Sequence, residues 1–225
     1  MASEGESGVA SPPQLPPADD LYLTAHDTIR GKSLLSPATL GLGLGTALLG
    51  ELMLWRRIDL VETELVVIDE RPTGDSASTA VLEQILREAG RHGVRNWLAY
   101  LSTGIATDLV ERRLSRAALI KRVEKRGLLG GTKVSFVPAD SMTAGWPATR
   151  IRTKVTRDEP LDVADLLLAG LILATGLDQH VLATLEARDR AALFDQFRRL
   201  FPVMLQQLVS QAEAAVGDAV MARRA

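Results

Sequence analysis

The chain has 225 residues, enough for one large domain or two small ones, and its 46% hydrophobic content can bury a sizeable core. Leu and Ala dominate that fraction while aromatics make up only 4%, which favours helix over sheet. A net charge of −2 excludes polyanion binding by the molecule as a whole, so any anion site is a local patch. The absence of cysteine excludes disulfides, cysteine-ligated zinc, iron–sulfur clusters and thiol catalysis, and it fits a cytosolic protein.

Residues 1–20 carry Pro12, Pro13, Pro16 and Pro17, four acidic residues and no basic one. They read as a disordered acidic tail without the apolar segment of a secretory signal, which sets the folded domain at residues 21–225. Leu21–Arg30 reads as a short helix, and Gly31 and Pro37 bracket a loop. Ser36 suits the N-cap of the next helix, with Pro37 in its first turn. That helix, Ala38–Trp55, contains Gly41, Gly43, Gly45 and Gly50. Their spacing departs from the dinucleotide fingerprint and no Gly-Lys-Ser/Thr follows, so the small residues serve close packing or backbone approach to a bound group. Ile58–Glu62 and Leu65–Glu70 read as a hairpin, and Pro72–Asp75 as a turn. Ser76 or Ser78 then caps a helix with Val81, Leu82, Ile85, Leu86 and Ala89 on one face, closed by Gly90 and Gly93. Val94–Leu101 is a short helix anchored by Trp97.

The stretch Asp108–Pro138 concentrates the charge. Arg112, Arg113, Arg116, Lys121, Arg122, Lys125 and Arg126 fall within fifteen positions, threaded by Leu109, Leu114, Ala117, Ile120, Val123 and Leu128. The spacing predicts an amphipathic helix with a cationic face running to Gly127, followed by a short hairpin over Leu128–Val137. A basic helix beside a hairpin is a device for meeting a polyanion, either lipid headgroup or nucleic acid; a merely solvated face is the competing reading. Asp140–Pro147 reads as a loop, and Arg150–Arg157 adds four positive charges. An apolar, buried helix runs from Pro160 to Ala174 and ends at Gly176. Helices at His180–Leu200 and Pro202–Val216 complete the chain. The longest apolar runs, Leu40–Leu49 and Leu166–Leu177, fall well short of the ~20 residues of a membrane span. His26, His92 and His180 lack metal-ligand spacing, and His26-Asp27 lacks a nucleophile motif. The reading is therefore a non-enzymatic, mainly α single globular domain with one or two short β-hairpins, and no cofactor.

Four ordered segments resemble the Golgi phosphoprotein 3 family, in its bacterial type, over about residues 19–220. They are Gly50-Glu51-Leu52 leading to Arg57, the turn Pro72-Thr73-Gly74-Asp75, Asn96-Trp97-Leu98 with Leu101-Ser102, and Leu119–Leu129 ahead of a hairpin. The resemblance implies a helical core ringed by amphipathic helices. It also implies a peripheral protein on the cytoplasmic face of a membrane that binds phosphatidylinositol 4-phosphate. In the family the phosphate sits among two basic residues of the central helix, an arginine of the first long helix and a tryptophan before it. Carried over, the basic pair falls on Arg113 and Arg116, the arginine on Gly45 and the tryptophan on Ser36. Arg113 and Arg116 are thus the expected headgroup residues, Ser36 and Gly45 the candidate pocket wall, and Lys133 and Phe136 the candidate membrane-contact residues of the hairpin. The expected partners are an anionic lipid, in the family a phosphoinositide, and protein clients. Two other readings stay open: a helical protein-interaction scaffold, and a winged-helix-like nucleic-acid binder. The second is disfavoured by the net negative charge and by the lack of Asn or Gln on the basic face.

Overall fold

The computed structural model describes residues 13–88, 92–126 and 132–222. Helix α2 (Pro37–Leu54) is its axis. The Ser36 hydroxyl accepts the Thr39 amide at 3.2 Å and Pro37 presets the first turn, as the sequence predicts. Every residue from Thr39 to Leu52 is buried. By length and composition α2 alone among the described helices could span a bilayer, but it lies at the centre of the domain instead. Around it pack α1 (Pro17–Thr24), α3 (Ser76–Arg87), α4 (Val94–Leu101), α5 (Ile105–Arg116), α7 (Val163–Ala174) and α10 (Val203–Ala222). The outer layer holds α6 (Ser141–Thr156), α8 (Asp178–Val181) and α9 (Ala187–Leu200). Two antiparallel hairpins join them, β1–β2 (Ile58–Val61 with Glu64–Val67) and β3–β4 (Ile120–Arg126 with Thr132–Pro138). The architecture is the mainly α single domain the composition implies, with ten helices and two hairpins among the described residues.

Three boundaries differ from the sequence reading. The tail does not extend to residue 20: Pro17–Thr24 is a helix and all eight of its residues are buried. Pro16 and Pro17 hold the N-cap and first turn, where a missing amide costs nothing. The basic helix does not run to Gly127. It ends at Arg116, Ala118 takes φ 57°, and Ile120–Arg126 pair as a strand with Thr132–Pro138. The predicted cap Gly127 lies outside the described residues, as do Leu128, Leu129, Gly130 and Gly131. Asp140–Pro147 is not a loop: Asp140 accepts the Thr143 amide at 2.7 Å and starts α6, which carries Pro147 in its second turn. A smaller shift concerns α3, capped by Asp75 rather than a serine.

Gly31 positions the second hairpin. Its φ is +61°, and a Cβ there would stand 2.1 Å from the Phe136 carbonyl oxygen and 2.8 Å from the Val137 Cα. The loop before α2 therefore lies directly against the β4 backbone, an approach open only to glycine.

Candidate functional site

Helix α5 divides its arginines between two faces. Ala106, Val110 and Leu114 recur at helical spacing and are buried against the core. Arg113 falls on the same face and is 8% exposed. Its Nε donates to Asp19 Oδ1 at 2.8 Å, and its Nη1 to Glu51 Oε2 and to Asp75 Oδ2, both at 2.9 Å. Nη2 donates to Glu51 Oε1 at 3.1 Å. Glu51, fully buried in α2, also accepts the Ala18 amide at 2.9 Å and the Ser78 hydroxyl at 2.6 Å. One guanidinium thus ties α1, α2 and the cap of α3 to α5. Glu51 and Asp75 belong to two of the segments that carry the family resemblance.

A second buried arginine holds the other side of α1. Arg150 of α6 donates to Asp20 Oδ2 at 2.6 Å and to Asp165 Oδ1 at 2.8 Å, and Lys154 reaches Asp165 Oδ2 at 2.6 Å. The Arg150–Arg157 run is therefore not four free charges. Asp165 is the buried partner of both cations, while Asp162 caps α7.

Burial pushes the Asp19 carboxyl up from 3.8 to about 7 against the pull of Arg113, and Glu51 and Asp75 push the same way. It pushes Asp20 up to about 6 against Arg150. Asp20 Oδ1 meets no donor among the described residues, which fits a carboxyl that takes up a proton easily. A folded pKa above the unfolded value means that the native state binds the proton more tightly. The contribution is complete below about 4 and is lost as pH rises through 6 and 7. The urea midpoint should consequently be higher at pH 5.5 than at pH 8, and Asp20→Asn should flatten the difference. A midpoint that climbs steadily from pH 5.5 to 8 would contradict the shifts.

The opposite face of α5 is open. Arg112, Ser115 and Arg116 are exposed and line a cleft of about 650 Å³ with Ile120, Arg122 and Phe136 of the hairpin. Arg116 Nη1 donates to the Ser76 hydroxyl at 3.0 Å, so the first residue of α3 braces it. Arg122 pairs with Glu124 on its own strand at 2.5 Å. Phe136 lies opposite Arg122 in the register and packs partly on the core. Asp108 and Glu111 close one side; burial raises the Glu111 pKa, and its carboxylate accepts the Tyr22 hydroxyl at 2.9 Å.

The expected site residues therefore separate. Arg116 and Phe136 share the cleft, whereas Arg113 is turned inward with its donors bound to carboxylates. Ser36 caps α2, and Gly45 is buried inside that helix, its Cβ position 2.9 Å from Leu101 Cβ, so neither lines the cleft. Lys133 stands opposite Lys125 in the hairpin register. Arg112 enters the sequence reading only as part of the cationic face. The signal for its role is its place one turn before Arg116, out of phase with Val110 and Leu114.

A helical domain with a cationic cleft between a helix and a docked hairpin is the class these features define. The chain belongs to the Golgi phosphoprotein 3 (GPP34) family, whose model matches residues 18–222. A comparison with curated proteins finds no match.

Proposed function

We propose that the protein is a peripheral membrane adaptor that holds an anionic lipid headgroup, in first place phosphatidylinositol 4-phosphate, in the cleft between α5 and the β3–β4 hairpin. The observation that carries this reading is the placing of three exposed guanidinium groups, Arg112, Arg116 and Arg122, on both walls of one cleft. Membership in a family of adaptors supports it. A phosphomonoester brings about two negative charges and several acceptor oxygens near pH 7. Arginine suits it because the planar fork stays charged and donates two parallel bonds. The cleft volume is within the ~300–1,000 Å³ typical of small-ligand sites. In this reading Arg116 contacts the headgroup, and Arg113 acts from behind by fixing the position of α5. Phe136 gives the cleft an apolar wall beside the acyl boundary.

Co-sedimentation with vesicles tests the reading, using neutral vesicles, vesicles with phosphatidylinositol, and vesicles with its 4-phosphate. The Arg112→Ala/Arg116→Ala variant should keep its circular dichroism spectrum. At about 1 kcal/mol per well-placed charge it should bind the anionic vesicles roughly ten- to thirtyfold less tightly, with a smaller salt dependence. Undiminished binding by the folded variant, or binding to duplex DNA but to no vesicle, would sink the proposal.

A further inference from the structure

We infer that the corner between α3 and α4 binds a quaternary ammonium cation, of the kind carried by choline. A hollow of about 220 Å³ opens there, lined by Glu88, His92, Asn96, Trp97 and Tyr100. Trp97 and Tyr100 stand three residues apart on α4 and share a face. Their rings meet edge to face, with centroids 5.9 Å apart and planes at 85°. The His92 ring stands on Trp97 in the same manner, at 6.2 Å and 81°. Three rings set at right angles line one hollow, and the π systems of aromatic rings attract cations. Trp97 is only 5% exposed, so its ring is fixed by the core, while Tyr100 is 40% exposed and within reach of solvent.

Charge selects the guest. The Glu88 carboxylate lines the hollow, and its bond from the Gln84 amide at 2.9 Å leaves acceptor capacity free. The guanidinium groups nearby along the described chain are engaged elsewhere. Arg87 pairs with Glu83 at 3.0 Å, and Arg95 reaches Asp218 at 3.3 Å and Gln211 at 3.1 Å. A site with three ring systems and one carboxylate favours a cation that donates no hydrogen bonds, because a primary ammonium would leave donors unpaired against the rings. The Asn96 amide at the rim offers a partner to a hydroxyl or phosphate attached to the cation.

The test is a titration of the full chain with choline chloride against matched sodium chloride, following the indole N–H resonance of Trp97. A saturable shift in the millimolar range is expected. The neutral isostere 3,3-dimethylbutanol should bind at least about fivefold more weakly, because it keeps the shape and loses the charge. Tyr100→Ala and Glu88→Gln, both at exposed positions, should each weaken choline roughly three- to tenfold while the fold persists. Phosphatidylcholine vesicles that compete with choline would identify a lipid headgroup as the source; vesicles that leave choline bound would identify the free cation. The inference fails if no saturable shift occurs, if the isostere binds equally, or if both variants bind as the parent does. Such a failure would leave the anionic cleft untouched, since no residue is shared.

Discussion

Arg113→Met should destabilise the domain by about 3–5 kcal/mol, the usual cost of removing one partner from a buried ionic cluster. The replacement keeps much of the volume but leaves Asp19, Glu51 and Asp75 facing one another without a cation. Glu51 has no exposed side-chain surface and Asp19 very little, so water cannot replace the guanidinium. The loss should also depend on pH more steeply than the parent's stability does, since a second proton would have to enter the cluster. Urea titrations at pH 5.5 and pH 8 would show it as a variant that is markedly weaker at pH 8. The same variant separates two roles. If Arg113 gripped a headgroup, its loss would abolish vesicle binding while leaving the melting temperature unchanged. The geometry predicts the reverse order: stability falls first, and binding falls only as α5 loses its place.

Gly45→Arg is expected to be more damaging still. The resemblance alone would suggest that an arginine there restores a missing pocket residue. The structure buries that position inside α2, with a Cβ there only 2.9 Å from the Leu101 Cβ. A charge and a long side chain would enter the core together, costing several kcal/mol. The variant should be insoluble or show a lost cooperative melt. A folded Gly45→Arg protein with tighter binding to 4-phosphate vesicles would show that α2 can rotate or shift to form the pocket, and the tight packing of α2 against α4 would not then be obligatory.

Much of the scaffold was legible because its signals are local. Ser36-Pro37 marked the start of α2, Gly93 and Ser102 bounded α4, and the β-branched runs around Thr63-Glu64 gave the first hairpin. What the sequence concealed depended on distant partners. Asp19 and Asp20 looked like the end of an acidic tail because the arginines that bury them lie 94 and 130 residues away. The break between α5 and β3 was hidden because Leu114, Ile120 and Val123 keep a loose helical spacing, while Ile120 and Val123, three apart, show none of the alternation that marks a strand. The residue that reverses the chain there is Ala118, at φ 57°, and alanine gives no turn signal. Arg113 could have been separated from Arg116 on phase alone. It stands three residues after Val110 and beside Leu114, whereas Arg116 falls between their turns. Pro147 and Gly145 disguised α6, whose start rests on the Asp140 cap.

The position of α1 bears on how the domain is assembled. This segment precedes the residues its polar groups bond: Glu51 at one end, Arg113 in the middle, Arg150 at the other. During synthesis it must wait until residue 150 has left the ribosome before both of its carboxylates can be paired. Eight residues are too few to hold a helix unaided in water. Docking of α1 thus closes the 130-residue span between Asp20 and Arg150, and loops of this length slow folding. A segment made early and docked late leaves parts of the apolar faces of α2 and α7 uncovered in the meantime. That interval, more than any weakness of the finished core, is where the protein is open to aggregation.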